Sequence, residues 1–278
     1  MRGWTHTATS VVFWAFVVYL FVPLALMILM GFKDSNFIGF PIRSWTLDWY
    51  AGVFRDTEVI GVFLYSMAIA LASTAISLVV GTWCAVLLGP NRFAGRALLF
   101  GLVCLPAVIP GIISAISFRI YARVLEIEPG MLAIVLAHAV HNVPFVALVV
   151  LARLATLPRS QVEAARDLGA DDIVAFFRIT VPYLRPALIG AGVFCMLLSF
   201  DDFIRSFFLG GYQPTLPVLI FSKLRSGMSP EINAISTVVL VLTAALGLWA
   251  ERSSRRLERQ GRIAPGKAPV AATEEGRA

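Results

Sequence analysis

The residue types able to do chemistry are few in this chain, and they lie mostly in its second half. Asp201 and Asp202 stand together at the end of an uncharged run, and Arg205 follows four and three positions on. An uncompensated carboxylate costs several kcal/mol in lipid. These acids therefore either meet a cationic solute passing them or pair with Arg205 at the helix end, as Asp201–Arg205 (i, i+4) or Asp202–Arg205 (i, i+3). His138, His141 and Asn142 fall within another uncharged run, where they either line a pore or hydrogen-bond between helices. Cys84, Cys104 and Cys195 each sit inside an apolar run. They have neither metal-ligand spacing nor the even count of a disulfide framework, and read as small core residues. The chain contains no G-x-x-x-x-G-K-[ST] phosphate loop, no H-E-x-x-H and no G-x-S-x-G. It therefore has no assigned catalytic residue, no metal ligand and no means of binding ATP by that route.

The elements that hold these residues follow from composition. Of 278 residues 58% are hydrophobic and 14% charged, with mean hydropathy +0.81. A soluble domain cannot bury that much apolar surface, so the expectation is an all-α bundle of membrane-spanning helices. Six uncharged runs would supply the spans: residues 7–32, 59–91, 97–118, 129–152, 186–200 and 232–250. The first is longer than the roughly 7–15 residues of a signal peptide's apolar core and reads as a retained anchor. The second reads as one tilted span. The fifth is shorter than the ~20 residues a crossing needs, which sets the acid pair near membrane depth. Pro106 and Pro110 are expected to kink the third and free carbonyls. Phe200, Phe203, Phe207 and Phe208 form either an outer gate or an interfacial belt.

The net charge of +6 comes from basic residues clustered at the ends of the apolar runs, which favours membrane orientation over nucleic-acid binding. With the N-terminus inside, the inner segments hold 15 Lys and Arg and the outer segments seven, Arg205 being left out of both. Both termini are therefore expected in the cytoplasm. Residues 1–60 form an anchor helix and outer segment, 61–250 the membrane core, and 251–278 a cytoplasmic tail, largely disordered from 264 onward.

Residues 153–186 form a long cytoplasmic loop with its own helix punctuation. Ser160 and Glu163 stand at capping-box spacing behind Pro158. Gly169 suits a left-handed helix stop, and Asp171 or Asp172 can cap a second helix expected to end at Pro182. Helices of about ten residues do not hold alone in water. With Ile173, Phe176, Phe177 and Thr180 on one face, the pair suits a groove on another protein, or else the membrane surface or the underside of its own bundle.

Glu163-Ala164-Ala165, then Gly169, Ile179 and Pro182, resemble the EAA loop (E-A-A-x3-G-x9-I-x-L-P) of binding-protein-dependent ABC importer permeases, with Val181 where Leu is usual. Three further stretches resemble the second permease subunit of spermidine/putrescine-type systems: Trp45 to Tyr50, Leu198 to Phe203, and Ser229 to Ala234. The resemblance implies a six-span, type I permease fold in the bacterial inner membrane, without catalytic residues. It makes Glu163, Ala164, Ala165, Gly169, Phe176, Ile179 and Pro182 the coupling residues, seated on an ATP-binding subunit, itself a homodimer, that carries ATP and Mg. It further implies a second, unlike permease and an extracytoplasmic solute-binding protein that docks on the outer segments. Transport would run by alternating access with residues 163–182 as the lever. The solute would be a polyamine such as spermidine or putrescine, or alternatively an amino-acid derivative, opine or phosphonate. Asp201, Asp202, His141 and Asn142 are the solute-path candidates. A secondary transporter would need coupling carboxylates in several spans, and only the fifth run has them.

Overall fold

Hydrocarbon offers backbone groups no partner, so the apolar runs must close their own hydrogen bonds, and they do so as helices. The computed structural model describes residues 2–35, 39–89, 93–227 and 229–262. In order, the helices are α1 (Arg2–Met30), α2 (Asp48–Val53), α3 (Thr57–Leu88), α4 (Arg96–Val108), α5 (Gly111–Val124), α6 (Met131–Leu154) and α7 (Arg159–Asp167). After these come α8 (Asp172–Ala175), a π turn (Phe176–Thr180), α9 (Val181–Phe200), α10 (Phe203–Leu209), α11 (Leu216–Ser226) and α12 (Pro230–Arg262). Among the described residues five helices are long and apolar enough to cross a membrane, and α4 with α5 forms a sixth, broken pair.

Several expectations need correction. The third run does bend, more sharply than a kink and at Pro110 alone, where α4 and α5 meet at 105°. Pro110 excludes the helical conformation from the residue before it, and Ile109 is accordingly extended; Pro106 lies inside α4 without breaking it. The fifth span does not begin near Pro186, and Pro182 does not end the loop's second helix. The helix runs unbroken from Asp172 to Phe200. In a regular α-helix a proline ring collides with the carbonyl four residues back and leaves one acceptor unpaired. Here the wide turn just before it, with the Val181 N–H bonded to Phe176 O, absorbs the misfit. A 29-residue helix of ~1.5 Å per residue is ample for a crossing, so run length does not set the depth of the acid pair. The Ser160–Glu163 capping box is absent, because α7 starts at Arg159 with Pro158 in the cap position and no side-chain cap bond. Finally, α12 continues to Arg262, so the segment after 250 begins as helix, and the tail from 264 lies outside the described residues.

The core is α3 and α6 packed side by side, with α9 across both and α12 against α9. α3 contributes a small polar stripe of buried Ser66, Ser73, Thr74 and Ser77, ending in Gly81. Such residues let helices approach closely in a membrane. Ser77 Oγ donates to Ala139 O of α6 at 3.1 Å, and a Cβ on Gly81 would lie 2.6 Å from Val146 Cβ. Gly81→Ala should therefore force α3 from α6 and destabilise the extracted protein by about 1–3 kcal/mol, as overpacking does. Thermal unfolding in detergent would show it, and an unchanged midpoint would contradict this packing.

The two ends of the bundle differ. At one end the start of α3, the end of α9 and the start of α12 share a cluster with Val59, Val62, Phe200, Leu219 and Ile235. At the other, Ala85, Val150, Leu184 and Ala191 join the end of α3, the end of α6 and the start of α9. Arg96 Nε donates to Leu88 O there at 3.0 Å. α1 stands apart, with none of its membrane-spanning window buried. It joins the rest at Met30 and Gly31, where Tyr50 and Ala234 close in.

Candidate functional site: an exposed elbow and a buried polar node

The first feature is the elbow of α7 and α8. Gly169 at φ +87° turns the chain, and the Ala170 N–H bonds back to Ala165 O, the pattern of a glycine helix stop. Asp171 caps α8 by accepting from Val174 N–H at 2.7 Å. Arg166 and Asp172 pair across the bend at 2.7 Å. Both are mainly exposed, so that pair stabilises by less than about 1 kcal/mol. No residue of α7 is buried. Glu163 and Ala164 are exposed, and an apolar patch projects beside them, with Leu168 90% exposed, Ile173 69% and Phe177 62%.

The four residues expected on one face divide. Phe176 turns inward and stacks on Trp83 of α3, with centroids 6.2 Å apart. Thr180 is buried, and Ile179 and Pro182 are half-buried. The outward knobs are Ile173 and Phe177, together with Leu168, which was not among the sequence candidates.

The second feature is a polar node among α3, α6, α9 and α10. Asp202 caps α10 by accepting from Arg205 N–H at 2.9 Å, and its other oxygen takes the Arg205 guanidinium. Both side chains are under a tenth exposed. Arg205 Nη2 lies 3.0 Å from His141 Nδ1. A guanidinium only donates, so that nitrogen accepts and the ring proton sits on Nε2. His138 Nδ1 is 2.7 Å from Ser199 Oγ, which is 2.9 Å from Ser73 Oγ, and His138 Nε2 faces Asp202 at 3.9 Å. Asn142 Nδ2 donates to Cys195 O at 3.1 Å, fastening α6 to α9.

Of the two ion pairs open from sequence, Asp202–Arg205 is present. Asp201 is exposed; its N–H bonds Leu197 O at 3.1 Å, and its carboxylate has no hydrogen bond or ion pair among the described residues. Its neighbouring aromatics divide as well: Phe200 packs into the core against Phe63, whereas Phe203, Phe207 and Phe221 form a separate cluster. The reading of Arg205 as a helix-end charge missed its place as the hub of the node. Of the buried serines of α3, Ser73 reaches the node through Ser199, whereas Ser66 accepts from Leu216 N–H and Ser77 bonds backbone carbonyls.

At the end opposite the elbow, a cavity of about 490 Å³ is lined by Asp34, Asp48, Asp56, Glu231 and Trp49. Lys223 bonds Glu231 at 2.8 Å, and this contact raises the lysine pKa above its ordinary value and compensates that one acid.

A bundle of long apolar helices with a broken pair, a projecting helical elbow and a buried polar node is the build of a multi-pass transport permease. The chain belongs to the family described as binding-protein-dependent transport system inner membrane component, which matches residues 2–262. It is 34% identical over 250 residues to the putrescine transport system permease protein PotI of Escherichia coli (strain K12), covering 87% of this chain and 89% of that one. It is 29% identical over 239 residues to the spermidine/putrescine transport system permease protein PotC of Haemophilus influenzae, covering 86% and 93%. Among solved structures, a bacterial alginate ABC transporter in complex with its pentasaccharide-bound periplasmic protein superposes with a TM-score of 0.70 at 17% identity, covering 92% of this chain and 96% of that one. The inward-facing MetNI methionine ABC transporter gives 0.61 at 21% identity, covering 72% and 95%. The fold is that of an ABC importer permease, as the EAA-like loop implied.

Proposed function

We propose that this chain is one of two unlike permeases of an ATP-driven polyamine importer in a bacterial inner membrane. The observation that carries the solute class is its similarity, along nearly the whole of both chains, to permeases named for putrescine and spermidine. The acid-lined cavity with its Trp49 ring fits a flexible polycation arriving from an extracytoplasmic binding protein. The elbow end carries Arg153, Arg159, Arg166, Arg178 and Arg185, which supports placing it and both termini in the cytoplasm.

The elbow, through Glu163, Ala164, Ala165 and Gly169 and the patch beside them, docks on an ATP-binding subunit, a homodimer that holds ATP and Mg. This chain contributes no catalytic group. Phe176, Ile179 and Pro182 root the elbow in the bundle rather than touch the partner. The unburied spanning surface of α1 suits a second permease. In the solute path, Asp201 is the free carboxylate that meets the cation, and Asp202, His141 and Asn142 hold the frame around it.

The test is uptake of labelled putrescine by the assembled transporter in proteoliposomes, with unlabelled competitors. Spermidine should compete, whereas opines and phosphonates should not. Asp201→Asn should lower uptake about tenfold, the loss of one contact of roughly 1.4 kcal/mol, with the amount of inserted protein unchanged. Competition by the anionic solutes instead would overturn the polyamine assignment. Uptake without ATP would favour a secondary transporter.

A further inference from the structure

We infer that Tyr183 is a positioning residue for energy coupling, tying the two ends of the elbow together so that a push on it reaches α6 and α9 at once. The inference rests on the coupling reading above. Tyr183 is the third residue of α9, just past the π turn. Its hydroxyl donates to Thr156 O at 2.9 Å and lies 3.0 Å from Thr156 Oγ1. The Thr156 proton goes to Arg153 O at 2.7 Å. Arg153 lies over the Tyr183 ring, its Cζ 4.3 Å from the centroid. One side chain thus grips the last turn of α6 and the residues after it through a cation–π contact and its hydroxyl.

The geometry makes this grip matter. α7 buries nothing, so among the described residues the elbow is held at its two ends: by the turn after α6 at one, and by buried Ala175 and Phe176 on Trp83 at the other. On the α9 side the connection is continuous helix, from α8 through the π turn into α9. Without the tie, the α6 side of the elbow is held by the backbone turn at 155–158 alone, and motion reaches α9 more directly than α6. With it, α6, which carries His138, His141 and Asn142, moves with α9, which leads to Asp201 and Asp202. The polar node is then displaced as a unit.

The experiment uses the complete transporter in proteoliposomes: this chain, its partner permease, the ATP-binding subunit and the binding protein. Tyr183→Phe removes the hydroxyl bond to Thr156 O and keeps the ring, Tyr183→Leu removes both, and Thr156→Val removes the Thr156 Oγ1 bond to Arg153 O while leaving the carbonyl that Tyr183 grips. ATP hydrolysed per putrescine imported should rise about three- to tenfold, the range that hydrogen bonds of ordinary net strength allow, while stimulated hydrolysis stays within roughly twofold. The order should be Tyr183→Leu above Tyr183→Phe, with Thr156→Val, which keeps the carbonyl that accepts from Tyr183, below both. An unchanged ratio in the Tyr183 variants, a parallel fall of hydrolysis and uptake, or an effect of Thr156→Val larger than that of Tyr183→Phe would overturn the inference. Glu163→Lys, run alongside, separates the two levels. If it leaves uptake normal, the coupling reading itself fails; if it uncouples and the Tyr183 variants do not, only this inference fails.

Discussion

Glu163→Lys and Gly169→Pro should each all but abolish uptake while the protein still inserts in normal amount. Gly169 sits at φ +87°, and its N–H bonds Arg166 O at 2.8 Å. Proline is locked near −65° and has no N–H, so the substitution opens the bend and re-aims α7. The bend carries little of the bundle's packing, since α7 buries no residue. Glu163 is exposed and has no partner among the described residues, so reversing its charge costs this chain little by itself. The loss falls on the surface that meets the ATP-binding subunit. A disrupted, desolvated charge contact costs about 2–5 kcal/mol, which is tens- to thousands-fold in a rate that depends on it. Uptake and ATP hydrolysis in proteoliposomes, with the membrane content of the chain as control, measure the effect. Normal uptake by both variants would refute the role of the elbow.

Arg205→Leu should remove most of the folded protein from the membrane. Arg205 and Asp202 are both under a tenth exposed and compensate each other, and deleting one partner of such a pair costs about 3–5 kcal/mol because the other charge is left buried. The Asp202→Asn/Arg205→Leu double variant should recover a good part of that loss, since no charge is stranded and asparagine still caps α10. Size-exclusion profiles and thermal unfolding after detergent extraction report both. Wild-type stability in Arg205→Leu would show that the pair contributes nothing to the fold. Low uptake by the stable double variant would place the node in transport as well as in folding.

The bend at Gly169 and the cap at Asp171 are legible in sequence because each is settled within about four residues: a left-handed position needs glycine, and a carboxylate one turn away satisfies a free N–H. Pro158 shows the limit of such reasoning. By taking the cap position itself it moved Ser160 inside the helix and voided the expected capping box. Pro182 was misread for a related reason. Whether a proline ends a helix depends on the turn before it, and here a π turn, anchored by Phe176 on Trp83 of α3, accommodates it. The acid pair was undecidable locally, since both Asp201 and Asp202 stand at helical spacing from Arg205.

The amino-acid sequence by itself determined that this chain crosses a membrane repeatedly, which end is basic, and where a two-helix elbow interrupts the spans. Burial of apolar area and local backbone chemistry act within one segment, so composition and spacing suffice to read them. Only the tertiary structure decided that Asp202 is paired and Asp201 free, that Arg205 reaches His141, and that Tyr183 closes the foot of the elbow on Thr156. Each of these depends on which faces of separate helices meet, and that is set by packing between residues far apart in the chain.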